Sequence, residues 1–173
     1  MSSSQSRTRR SRVETKAAPD RPGLGPALRR AWIGYHRSLD DAMAAAGFGN
    51  RGFPDGRVLR TCADADTTIS DIGRELGITR QAASKTVAGL RRRGYVVLRA
   101  SPTDAREKIV RPTSRAHDFL AAQRQAARAI ERRLRAELGQ EGFESLYALL
   151  GALGGSDEPR MREYLRAMGV REL

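Results

Sequence analysis

Apolar spacing switches between helical and extended periods along residues 67–113, and each switch predicts an element. Ile69, Ile72 and Leu76 recur at three- and four-residue steps, the stripe of a short helix. Thr68 stands at its N-cap with Asp71 three residues on, a capping box with Asp in place of the usual Glu. Gly77-Ile78 predicts a tight turn. Ala83, Val87 and Leu90 then form the stripe of a second helix. Thr79 opens it, with a hydroxyl able to accept from an orphan amide of the first turn. Gly94 closes it as a left-handed stop. Away from that stripe lie Arg80, Gln81, Ser84 and Lys85, and Ala88 keeps the surface low. Tyr95-Val96-Val97-Leu98-Arg99 is a β-rich run and Lys108-Ile109-Val110-Arg111 another, so the polar residues between them predict a hairpin. Pro112 has no amide to give a ladder, and the second strand is expected to end at Arg111.

The flanks repeat the helical period at greater length. Residues 26–46 align Leu28, Trp32, Tyr35, Leu39, Ala42 or Met43, and Ala46, and Gly47 ends the run. Residues 53–62 predict a short helix with Val58 and Leu59 inward and Gly56 weakening it; residues 64–67 read as a loop. A long helix over 114–138 carries Ala116, Leu120, Ala127, Ile130, Leu134 and Leu138 on one stripe, and Gly139 breaks it. Its other faces hold Arg115, Arg124, Arg128, Arg132 and Arg133. Residues 141–153 give a further apolar face of Phe143, Leu146, Tyr147, Leu149, Leu150 and Leu153. Gly154-Gly155-Ser156 links it to a final short helix over 158–168. Residues 1–21 hold almost no large apolar side chain and predict a disordered basic tail, in which Arg7, Arg9, Arg10 and Arg12 are either phosphate contacts or solubilising charge.

These flanking helices offer more apolar surface than a small helix-turn-helix can cover, and a second copy of the chain is the simplest cover. The predicted fold is mainly α with a small β-hairpin wing. A winged helix-turn-helix at 51–113 is flanked by an N-terminal dimerisation helix within 22–50 and C-terminal dimerisation helices within 114–173.

Charge narrows the function. The chain has 173 residues and a net charge of +12, the balance of a binder of nucleic acid or another anionic surface. Residues 67–113 contain ten Arg and Lys against four acids, a surplus of six. The front of the second helix has no carboxylate, as entry into a DNA major groove requires, because guanine offers paired acceptors there and phosphates repel acids. Arg80 or Lys85 suits guanine and Gln81 suits adenine; Thr79 and Ser84 complete that front. Arg91, Arg92 and Arg93 at the far end are expected to meet phosphate. Arg99, Arg106 and Lys108 make the hairpin a basic wing.

Other chemistry is sparse. One cysteine permits no internal disulfide, and two histidines with it, far apart, make no zinc site. No apolar run reaches membrane-spanning length and the N-terminus lacks a signal-peptide core, so a cytoplasmic protein without membrane contact is expected. No nucleotide loop, metal-ligand cluster or nucleophile spacing stands out, and neither cofactor nor enzymatic activity is expected. A non-specific or architectural DNA-binding protein remains the alternative, marked by equal affinity for any duplex.

Several of these residues occur in a known order. Ile72, Leu76, Gly77-Ile78-Thr79-Arg80-Gln81, Val87, Leu90, Arg93-Gly94-Tyr95, Pro102-Thr103-Asp104-Ala105-Arg106 and Pro112-Thr113 together resemble the MarR family of winged-helix transcriptional regulators. Ser101, where an acid is common before the wing proline, and Pro112, where an apolar strand residue is usual, depart from its pattern. The resemblance implies that Asp104 braces the hairpin and Arg106 reaches the minor groove. It also implies a two-fold homodimer on double-stranded DNA with a palindromic operator, most often as a repressor. A small aromatic or phenolic effector would enter a crevice between the dimer helices and the DNA-binding lobe. Trp32, Tyr35, His36 and Arg60 are the candidates to line it, against the plainer reading of aromatic residues at helical spacing as core. His117 is either a pocket residue or exposed. Some relatives sense oxidants through a cysteine; here the acids Asp64 and Asp66 oppose a thiolate at Cys62, and a buried inert thiol is expected.

Overall fold

The computed structural model describes residues 22–52, 54–63, 66–101 and 107–154. Among them run α1 (Leu24–Ala45), α2 (Asp55–Ala63), β1 (Thr67–Thr68), α3 (Ile69–Leu76), α4 (Arg80–Arg92), β2 (Val96–Ala100), β3 (Lys108–Pro112) and α5 (Ser114–Gly154). The tail at 1–21 and the final helix expected at 158–168 lie outside the described residues. The chain divides after Gly34 into two units. The described part of the first is the opening half of α1, where Leu24 and Ile33 are exposed.

In the second unit the local signals act as their chemistry dictates. The Thr68 hydroxyl accepts from the Asp71 amide at 3.1 Å, and the Asp71 carboxylate accepts from the Thr68 amide at 3.0 Å. Both halves of the capping box are thus formed at the start of α3. Gly77 leaves α3 with φ 64, and Gly94 follows α4 with φ 76. Past α4, the Gly94 amide donates to Arg91 and the Tyr95 amide to Leu90, both at 3.0 Å. That double closure needs the left-handed residue that glycine adopts without a Cβ clash.

The three strands form an antiparallel sheet in the order β1-β3-β2. Thr67, expected in a loop, instead pairs with Val110, and Thr68 with Ile109. A two-residue strand has too little pattern to stand out in a sequence; the exposed side of β3 recruits it. Pro112 also belongs to β3, opposite Val96, where Arg111 was expected to be last. β1 does not reach that far along β3, so a residue without an amide leaves no carbonyl waiting on that side. Thr113 takes over the ladder, donating its amide to the Tyr95 carbonyl at 2.9 Å.

The core gathers Val58 and Leu59 of α2, Ile72 and Leu76 of α3, Ala83, Val87 and Leu90 of α4, and Val96 and Val110 of the sheet. The stripe of α5 differs from the expected one. Phe119 and Ala126 are buried with Ala116, Leu120 and Ile130, while Leu138 is exposed. Phe119 is drawn in by an aromatic cluster, its ring edge-on to Tyr95 at 5.3 Å and to Phe48 at 5.6 Å. Gly56 does not merely weaken α2. It is buried, and a Cβ there would lie 2.5 Å from the Gln123 side-chain oxygen, so its bareness leaves room for the Gln123 amide that reaches it from α5. At Gly139, φ 71 breaks the helical path inside α5, as the sequence predicts. Beyond it Phe143 is buried, whereas Tyr147, Leu149, Leu150 and Leu153 are exposed.

Candidate nucleic-acid interface

Helix α4 is built from two faces with opposite demands. Ala83, Val87 and Leu90 are buried to within 1% exposure, which fixes the helix on the core. Arg80, Gln81, Ser84, Lys85 and Ala88 are exposed. Thr79 is extended at the N-cap, and its hydroxyl accepts from the Ala82 amide at 3.1 Å. The amides of this first turn carry the positive end of the helix dipole, and no acid occupies the turn to oppose it. The major-groove set expected from sequence therefore lies on one helical front, facing solvent.

The three arginines at the other end part company. Arg91 and Arg92 are exposed, as phosphate ligands need. Arg93 is not available to phosphate as expected: its guanidinium donates to the Asp55 carboxylate, to the Asn50 carbonyl at 2.9 Å and to the Gly89 carbonyl at 3.2 Å. It sits past the last turn of α4 and points inward, an outcome that three like residues in a row do not reveal. Asp55 is 1% exposed, a burial that its place in the sequence does not announce. Its one legible signal is that it is the acid that opens α2.

On the wing, Arg99 of β2 and Lys108 of β3 are exposed. Lys108 pairs across the ladder with Ala100 and Arg99 with Ile109, so the two cations sit one residue apart on adjacent strands. Asp104 and Arg106, expected to brace the hairpin and to enter a minor groove, lie outside the described residues. Arg111, on the same strand as Lys108, forms an ion pair with Asp66. A cavity of about 270 Å³ beside β1 is lined by Asp66, Asp71 and Glu75 with Thr61, Thr67 and Arg74. Three carboxylates make it unsuited to phosphate.

The proposed effector residues fall among different neighbours. Trp32 belongs to the first unit and is half-buried. Tyr35 and His36 stand edge to face at 5.8 Å. Burial raises the Tyr35 pKa, with the Glu131 charge and Tyr147 adding to the rise and Arg51 opposing it. Burial and Arg51 together lower the His36 pKa, against Asp40. Arg60 is exposed and donates to the Gln123 side-chain oxygen at 3.0 Å. His117 is exposed. Cys62 is buried, and burial pushes its thiol up to about 12, far from a reactive thiolate. No helix among the described residues is long and apolar enough to cross a membrane.

Comparison with known proteins agrees with this geometry. Residues 52–107 match the family model described as MarR family. No curated protein sequence matches the chain. Among solved structures, the transcriptional repressor CouR, bound to a 23-mer DNA duplex, is 25% identical with a TM-score of 0.59, over 77% of this chain and 93% of that one. A mutant of S. aureus MepR bound to an oligodeoxyribonucleotide is 18% identical with a TM-score of 0.57, over 77% of this chain and 96% of that one. Wild-type MarR from E. coli, without ligand, is also 18% identical with a TM-score of 0.57, over 78% and 98%. At that identity the last two show the fold alone.

Proposed function

We propose that this chain, which carries a MarR-family winged helix across residues 52–107, is a sequence-specific DNA-binding transcriptional regulator acting as a homodimer. The observation that carries the reading is the two-faced α4. Its apolar back is fully seated, while Arg80, Gln81, Ser84 and Lys85 present donors without a carboxylate beside them. Thr79 caps the helix that offers them, Arg91 and Arg92 hold phosphate, and the wing adds Arg99 and Lys108. Arg106 reaches a minor groove, where narrow A·T tracts concentrate negative potential, and Asp104 braces its loop. That the CouR structure contains a DNA duplex supports the same use of the fold.

The exposed apolar residues after Gly139 support the homodimer, since Leu149, Leu150 and Leu153 need cover that the described chain does not supply. A two-fold pair presents two α4 helices to half-sites on the order of 10 base pairs apart, and so to a palindromic operator. Repression is the outcome in this reading. A small aromatic or phenolic effector, bound near Tyr35 and His36, releases the DNA by favouring another spacing of the two α4 helices.

Selection of duplexes from a random library by the full chain, followed by titration against shuffled duplex, tests the proposal. A palindromic motif, bound at least about a thousandfold more tightly than shuffled DNA, is expected. Equal affinity for both duplexes overturns it and leaves general, charge-driven DNA binding in its place.

A further inference from the structure

The end of α4 is held by an ion pair to a buried carboxylate as well as by packing. Asp55 opens α2 and its side chain is 2% exposed, against 23% for Arg93. Arg93 Nη2 donates to Asp55 Oδ1 at 2.8 Å, and Nη1 donates to Oδ2. Nη1 also donates to the Asn50 carbonyl at 2.9 Å, and Nε to the Gly89 carbonyl at 3.2 Å. The Gly52 amide donates to the same carboxylate, and the Tyr95 ring lies 5.6 Å from the guanidinium carbon. One side chain thus ties the end of α4, the loop before α2 and the first turn of α2 together.

A two-pronged arginine–carboxylate pair fixes direction as well as distance. The apolar contacts of α4 do not, because hydrophobic attraction has no preferred direction and two of its three core residues, Ala83 and Val87, are small. Arg80 lies about 20 Å along the helix from Arg93 at 1.5 Å per residue. A tilt of about 5° at the Arg93 end therefore moves the front by nearly 2 Å, more than a base-edge hydrogen bond tolerates. We infer that the Asp55–Arg93 pair is a strut that sets the angle at which α4 meets DNA, making both residues positioning residues for sequence discrimination. The inference rests on the reading of α4 as the helix that reads bases.

The test compares operator with shuffled duplex for Asp55→Asn, for Arg93→Lys and for the double variant Asp55→Asn/Arg93→Gln. The operator is the best duplex selected by the wild-type chain. Titrations are run at a temperature where circular dichroism shows each variant folded. Loss of folded protein lowers both affinities by one factor and leaves their ratio unchanged, so a merely structural role does not move the ratio. The strut predicts that the ratio falls at least about tenfold, the scale of one two-pronged base contact. Arg93→Lys should not rescue it, because an ammonium keeps the charge but loses the fork. The double variant removes the lone buried charge, so it recovers stability and not discrimination. An unchanged ratio in any folded variant overturns the inference.

Amide exchange by mass spectrometry gives a reading independent of DNA. Exchange over residues 80–95 should quicken while α3 and α5 keep their protection. An even rise throughout, or none, overturns the strut. Should the wild-type chain itself fail to discriminate, the sequence-specific reading falls separately, and the exchange pattern alone decides whether the strut exists.

Discussion

The two halves of α5 both carry an apolar stripe at helical spacing, yet they have opposite surroundings. Up to Ile130 the helix seats Ala116, Phe119, Leu120 and Ala126 on the winged helix. Among the described residues after the break at Gly139, only Phe143 is buried, while Tyr147, Leu149, Leu150 and Leu153 stand exposed. An Arg135 guanidinium 3.9 Å from the centre of the Phe143 ring, hydrogen-bonded to Gln140 at 2.7 Å, and the Tyr147 ring at 5.0 Å contribute to the cover that Phe143 has. The difference teaches that apolar periodicity reports the need for burial and not the partner that meets it. The first half finds its partner within the chain; the second, in the reading proposed above, finds it in a second copy.

The largest expected effect comes from emptying the first half. Phe119→Ala removes the ring that touches both Tyr95 and Phe48, and should cost about 3–5 kcal/mol in a urea titration. A loss under about 1 kcal/mol would show that the aromatic cluster is not the anchor of α5. For the second half the expectation reverses. Leu149→Glu with Leu150→Glu should leave the far-ultraviolet spectrum intact but weaken self-association by roughly 2 kcal/mol or more, since buried charges cannot be paired there. Sedimentation of an unchanged dimer would break the comparison, because those residues would then need no cover.

Smaller changes ask how firmly the winged helix under the first half is held. Thr79→Ala removes the acceptor of the Ala82 amide and should lower stability by about 1 kcal/mol, read from the thermal midpoint; no shift would mean that water replaces the cap. The smallest effect is in pH dependence. Hydrogen bonds from the Thr68 hydroxyl and amide hold the Asp71 carboxyl below its usual value, helped by Arg74. A carboxyl with a depressed folded-state pKa stabilises the fold above its unfolded value, and that contribution is lost as pH falls through the folded one. Asp71→Asn should therefore flatten the acid limb of the stability curve and leave the neutral-pH slope alone. An acid limb as steep as wild type would show that the capping box contributes nothing through its charge.

Much of the candidate interface was legible beforehand. The positions of Thr79, Gly77 and Gly94 mark the ends of α3 and α4 because capping and left-handed turns are local chemistry. The separation of Ala83, Val87 and Leu90 from Arg80, Gln81, Ser84 and Lys85 follows from helical period. Arg93 shows the limit. In sequence it is one of three equal arginines, yet it alone is turned to Asp55, thirty-eight residues away along the chain. Likewise Thr67 and Pro112 were placed by strands alongside them rather than by their own propensities.

By itself the sequence determined what a few neighbouring residues settle among themselves: helix limits, the two faces of α4, the break at Gly139 and the surplus of positive charge. Tertiary structure alone decided which arginine is locked and which are free, which side chain of α5 fills the space beside Gly56, and which apolar stripe is left uncovered. The physical reason is range. Caps and periods are set within one or two turns of backbone, whereas an ion pair, a close helix contact or an empty face depends on which distant segment folding brings alongside.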